Sequence, residues 1–60
     1  MMIGESAKVR VVVNGEEITL LVVRIFKDKY EASGSYNDRK LRVTATSLEA
    51  VQAAWMAAVA

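Results

Sequence analysis

The stretch SLEAVQAAWMAAVA, residues 47–60, decides the fold. It carries one charged side chain, Glu49, and eleven apolar residues among the thirteen that follow Ser47. Thr46 or Ser47 is suited to cap the helix N-terminus, where Glu49 favours the positive end of the dipole. One apolar stripe has helical spacing and is predicted to cover a sheet: Leu48, Val51, Trp55 and Val59.

The reverse side of this helix is a smooth face of small residues, with Met56 on one flank. Its members are Ala50, Ala53, Ala54 and Ala57. A chain of 60 residues buries only about 60% of the surface that its unfolded form exposes, so it is marginally stable alone. With no Cys and no His, neither disulfides nor the usual zinc ligands are available, which leaves oligomerisation as the stabilising device. We therefore expect a homodimer.

Two β-branched runs precede the helix and form a predicted hairpin. The run 8–13 ends at Asn14-Gly15, a dipeptide typical of a type I′ turn, and the run 18–26 follows. Whether the loop has two residues or four, the same residues of the two runs lie on the same face of the sheet. One face is predicted to hold Val9, Val11 and Val13 with Ile18, Leu20 and Val22.

Two shorter runs complete the sheet. Turn residues at 27–29 separate the hairpin from residues 30–36, and Asn37-Asp38 turns the chain into a last strand, 41–45. The sequence predicts a single α+β domain over residues 1–60. Its expected architecture is ββββα, a four-stranded antiparallel meander followed by one C-terminal helix packed on one sheet face.

The second run is apolar on both faces, although one helix covers only one face of a sheet. Leu21, Val23 and Ile25 form the extra set. Either a second chain covers this set, which makes it another candidate dimer interface, or a β-bulge near Val22 and Val23 exchanges the faces. The bulge would place Val23 and Ile25 under the helix and would turn Arg24 outward.

A basic stripe on the open sheet face is the basis of an alternative function, nucleic-acid binding. With the bulge, the stripe comprises Lys8, Arg10, Arg24 and Arg42. Lys and Arg also keep exposed sheets soluble, and eight Lys and Arg against seven Asp and Glu give a net charge of only +1. Composition therefore favours a protein partner, above all a second copy, over nucleic acid.

The remaining motifs have structural interpretations. Gly34 lies in the middle of a strand, and we expect Trp55 to pack across it because the glycine makes room for the indole. Tyr30 and Tyr36 are expected to pack on the sheet surface and not to form a binding cage.

Catalysis has no evident basis in the sequence. The serines have no His to activate them, and the three glycines are scattered and make no phosphate-binding loop. We expect no enzyme, no cofactor and no metal site. The first residues lack the pattern of a signal peptide and no run has the length of a membrane span, so the expected location is the cytoplasm, without membrane contact.

Residues 25–60 resemble the three-stranded-sheet-plus-helix modules of AP2 domains and of the N-terminal arm-binding domains of phage-type integrases. The resemblance lies in a tyrosine-bearing strand, the Asn37-Asp38-Arg39-Lys40 turn and the Thr46 to Ala50 lead into an Ala-rich helix. The residues with which those modules read DNA have no counterparts here, so no functional residue is carried over. Size and composition also resemble small accessory proteins of phages and mobile elements. The expected function is a non-enzymatic protein-interaction module.

Overall fold

The computed structural model describes residues 2–59 and confirms the ββββα architecture. Strands β1 (Ser6–Val13), β2 (Glu16–Phe26), β3 (Lys29–Tyr36) and β4 (Arg39–Ala45) are followed by helix α1 (Leu48–Val59). Met1 and Ala60, the ends of the predicted domain, lie outside the described residues.

The four strands form one antiparallel sheet in sequence order, β1-β2-β3-β4. The first loop has two residues, Asn14 (φ 51°) and Gly15 (φ 80°), as a type I′ turn requires. Asn37 (φ 52°) and Asp38 (φ 61°) close the last hairpin with the same left-handed pair of conformations. Both turns match the right-handed twist of their strands, so the register of these two hairpins stays regular.

The β-bulge lies at Ile25, so the predicted position near Val22 and Val23 is wrong. Pairing runs regularly from Leu21 through Arg24, which lies opposite Tyr30, and it shifts only between Arg24 and Phe26. The physical reason is the Lys27-Asp28 turn, which lacks the positive φ values that match strand twist. A bulge beside the turn adds the missing local twist. The faces of β2 are therefore not exchanged, and Val23 and Ile25 do not lie under the helix.

Helix α1 packs chiefly on β3 and β4, and the core lies between it and one face of the sheet. Val51 and Trp55 are fully buried, and Val59 packs against the core from the helix end. Leu48 does not complete the stripe: it is the first residue of α1 and remains 37% exposed. Ser47 provides the cap, because its Oγ accepts a hydrogen bond from the Ala50 N–H at 3.1 Å.

Trp55 packs across Gly34, as the sequence predicts. A Cβ added at Gly34 would lie 2.9 Å from Cζ2 of Trp55 and 2.6 Å from Cδ2 of Leu20, well inside van der Waals contact. The indole Nε1 donates a hydrogen bond to the Leu41 carbonyl at 3.1 Å. Glycine at position 34 is therefore a packing requirement, and the hydrogen bond fixes the orientation of the ring.

The only helix among residues 2–59 is too short to cross a membrane.

Candidate interaction surfaces

The sheet face opposite α1, called the open face below, brings together most of the residues singled out in the sequence. Cross-strand pairing places Lys8 opposite Leu21, and Ser33 opposite both Leu21 and Arg42. Arg10 lies one step further along, opposite Thr19. The apolar set of β2 and three of the four predicted cations therefore share this face.

Arg24 is the exception, and its predicted place in the basic stripe is wrong. Because the bulge comes after it, Arg24 faces the same side as its partner Tyr30, which packs against the core. Its guanidinium lies 5.8 Å from the centre of the Tyr30 ring, a cation–π distance, and Nη2 donates to the Lys27 carbonyl at 2.8 Å. Arg24 thus fastens the end of the β2–β3 hairpin on the helix side.

Three large apolar side chains are exposed at one end of the sheet. Met2 is 74% exposed, Ile3 61% and Phe26 63%. The backbone segments that carry them are joined, because the Gly4 N–H donates to the Arg24 carbonyl at 2.7 Å and the Arg24 N–H donates to the Glu5 carbonyl at 3.2 Å. These bonds hold the N-terminal turn alongside the end of β2.

The bulge adds to this cluster. Phe26 pairs with Lys29, which by strand alternation faces the open side with Glu31, so Phe26 also faces that side. Val23 and Ile25, both half-buried, precede it on the same face. We call the combined surface of Met2, Ile3, Val23, Ile25 and Phe26 the apolar end.

The other half of the open face is basic and hydroxyl-bearing. One cross-strand row runs Lys8, Leu21, Ser33, Arg42, and the next contains the pairs Arg10 with Thr19 and Ser35 with Lys40. The cations lie on the edge strands and the hydroxyls on the central strands. We call this surface the basic half: Lys8, Arg10, Thr19, Ser33, Ser35, Lys40 and Arg42.

Two exposed ion pairs lie on the open face. Arg10 is 3.5 Å from Glu17, and Arg42 is 3.5 Å from Glu31. Both arginine side chains remain more than 70% exposed, so each pair contributes only about 0–1 kcal/mol to stability. Between β3 and β4 the surface dips into an open depression of about 570 Å³, lined by Ser33, Gly34, Ser35, Lys40, Leu41 and Arg42.

The outer face of α1 is the other predicted interface. Ala50, Ala53 and Ala57 are exposed, but Ala54 is half-buried and lies at the margin of this face. Met56 is 36% exposed beside them. Most of this surface consists of single methyl groups.

Tyr30 and Tyr36 both pack against the core, in agreement with their structural interpretation. The Tyr36 hydroxyl accepts a hydrogen bond from Asn14 Nδ2 at 3.2 Å, which links the two type I′ turns. Within residues 2–59, no three acidic side chains come close enough together to hold a metal ion.

Sequence reasoning missed two parts of these surfaces. Lys40 belongs to the basic half, and the alternation of β4 with Arg42 and Thr44 would have revealed it. The apolar end has a weaker signal, because only backbone hydrogen bonds bring Met2 and Ile3 next to Phe26. Comparisons with protein-family models, curated proteins and solved structures gave no match for this chain.

Proposed function

We propose that this chain is a non-enzymatic interaction module that assembles as a homodimer through the apolar end. The observation that carries the proposal is the clustering of Met2, Ile3 and Phe26, each more than 60% exposed, at one place on a small protein. The largest apolar patches on small proteins are often functional, and burial of such a patch against a partner supplies the main stabilising term of association.

The size of the patch fits a modest dimer interface. At about 200 Å² for each large side chain, the three exposures amount to roughly 400 Å². This is about a tenth of the 4185 Å² surface of the chain, the share that a standard interface covers. With the half-buried Val23 and Ile25 and a polar rim, two copies would bury about 1,000 Å² in total, the lower bound for a specific interface. We expect a dissociation constant on the order of 10 μM.

Charge favours a second copy at this end. Glu5, Lys27, Asp28 and Lys29 surround the apolar end, two of each sign. In a twofold arrangement the same patch meets itself, and a border with both signs of charge allows the lysines of one copy to pair with the carboxylates of the other. The basic half is less suited to self-association, because its four cations outnumber the two carboxylates that pair with them, Glu17 and Glu31, and two copies would bring like net charges together.

The outer face of α1 is a weaker candidate for the same contact. A helix of twelve residues is about 18 Å long and about 10 Å wide, which gives a footprint of roughly 180 Å². The apolar end and its rim offer about 500 Å² on each copy. The methyl groups of Ala50, Ala53 and Ala57 fall well short of that area.

A pair of matched variants tests the proposal by sedimentation velocity. Phe26→Glu places a charge in the apolar end, and Ala53→Glu places the same charge on the outer face of α1. Both positions are exposed, so both variants should fold. Burial of the exposed part of Phe26 contributes about 3 kcal/mol per copy, so Phe26→Glu should weaken dimerisation more than 100-fold. Loss of the dimer in Ala53→Glu alone would refute the proposed interface.

A further inference from the structure

We infer that the basic half binds the phosphate backbone of B-form duplex DNA. This site adjoins the apolar end on the same face but shares no residue with it, so the inference does not depend on dimerisation. Four cations lie there against two carboxylates, Glu17 and Glu31, which pair with Arg10 and Arg42, so this part of the sheet keeps a net charge of about +2.

The spacing of the cations matches a groove bounded by two phosphate strands. Lys8 and Arg10 lie on edge strand β1, and Lys40 and Arg42 lie on edge strand β4. Three strand spacings of about 4.8 Å place these two lines roughly 14 Å apart. The major groove of B-DNA is about 12 Å wide, so the sheet lies across the mouth of the groove and each line of long cationic side chains reaches one phosphate strand.

The cations are available to a ligand. Among residues 2–59, no carboxylate lies within 4.0 Å of the ammonium group of Lys8 or Lys40. Arg10 and Arg42 hold their carboxylates at 3.5 Å with the arginine side chains 76% and 73% exposed. Such pairs contribute little, so a phosphate displaces the carboxylate at small cost.

The floor between the cation lines favours a duplex over a single strand. Thr19, Ser33 and Ser35 place only short hydroxyl side chains there, and the Ser33 hydroxyl donates to the Leu21 carbonyl at 3.5 Å, so the floor offers no platform for stacked bases. Single-strand binding depends on aromatic stacking, but among the described residues Trp55 and both tyrosines lie on the helix side and Phe26 lies in the apolar end. A-form RNA is disfavoured because its major groove is too narrow for a sheet.

Fluorescence anisotropy with a labelled mixed-sequence duplex tests the inference. If four phosphates are neutralised, a rise in salt from about 50 to about 150 mM should weaken binding roughly 30- to 80-fold. A single strand of the same length and a duplex RNA serve as competitors. Each should compete at least about tenfold less well than the unlabelled DNA duplex.

Two double variants provide the matched control. Lys8→Gln with Lys40→Gln removes two cations from the basic half, and Lys27→Gln with Lys29→Gln removes two cations that border the apolar end. The Lys8/Lys40 variant should reduce the slope of log affinity against log salt concentration by about two and weaken binding at least tenfold. The Lys27/Lys29 variant should leave the slope and the affinity nearly unchanged. Equal losses in both variants, equal binding of the single strand, or no binding to the duplex at low salt would overturn the inference. Phe26→Glu should still bind DNA, which separates this site from the dimer.

Discussion

Replacement of Gly34 by alanine tests the closest contact in the core. The added Cβ would lie 2.6 Å from Cδ2 of Leu20 and 2.9 Å from Cζ2 of Trp55, where carbon atoms prefer about 3.5–4.0 Å. Each neighbour must therefore move by about 1 Å. Both side chains are fully buried, and the hydrogen bond from Trp55 to the Leu41 carbonyl resists rotation of the indole.

The expected loss of stability follows from two opposing terms. Overpacking a core by one methyl group costs about 1–3 kcal/mol. The reduced entropy of the unfolded chain offsets about 0.4–1 kcal/mol of that cost, since alanine is less flexible than glycine. Gly34→Ala should therefore lower the free energy of unfolding by about 1–2 kcal/mol.

Urea unfolding followed by Trp55 fluorescence measures this change at one fixed protein concentration. With a urea dependence of about 1 kcal/mol/M for so small a chain, the midpoint should fall by about 1–2 M. Ser35→Ala is the control, because Ser35 is an exposed neighbour in the same strand and should shift stability by less than about 0.5 kcal/mol. Leu20→Val in the Gly34→Ala background should recover part of the loss by making room. A midpoint for Gly34→Ala at or above that of the parent would refute the packing argument.

Three further substitutions test the remaining supports of the fold. Trp55→Ala should cost about 3–5 kcal/mol, a large part of the roughly 3–9 kcal/mol expected for a chain of this length, so circular dichroism should show a largely unfolded population. Ser47→Ala should cost about 1 kcal/mol in urea unfolding through loss of the cap, whereas an equal effect of Thr46→Ala would contradict the assignment of the cap to Ser47. Asn14→Ala should lower the free energy of unfolding by about 1–2 kcal/mol, measured as a lower melting temperature, because alanine tolerates φ 51° poorly. An unchanged melting temperature would contradict the assigned turn conformation.

The order of elements was predictable because local signals were strong and agreed with one another. Asn14-Gly15 required positive φ values, Ser47 offered a side-chain acceptor at a helix start, and Gly34 faced Trp55 in a consistent register. Each of these features depends on residues close in sequence or on strand parity, which the alternation of apolar residues fixes.

The position of the bulge was not predictable from sequence for a physical reason. Lys27-Asp28 contains no residue type that indicates its turn conformation. The sequence therefore does not show that the register shifts at Ile25. The assignment of Arg24 to the open face failed with it. The prediction that Leu48 belongs to the buried stripe is wrong for a separate reason: helical spacing does not show that the first residue of α1 remains exposed.

The candidate surfaces were predictable only in part. Strand parity was enough to group Lys8, Arg10 and Arg42 on the face that also carries Leu21. The apolar end was not visible, since it depends on hydrogen bonds from the N-terminal turn to Arg24. A surface built from two segments of chain about 20 residues apart leaves no periodic trace in the sequence.

The mass in solution, measured by static light scattering over a dilution series, tests the proposed homodimer most directly. At a concentration of about 100 μM the unmodified chain should have nearly twice the 6.6 kDa mass of one copy, and it should approach 6.6 kDa on dilution below about 1 μM. Phe26→Glu should remain at the single-copy mass throughout. A mass of 6.6 kDa for the unmodified chain up to about 1 mM would contradict assembly through the apolar end.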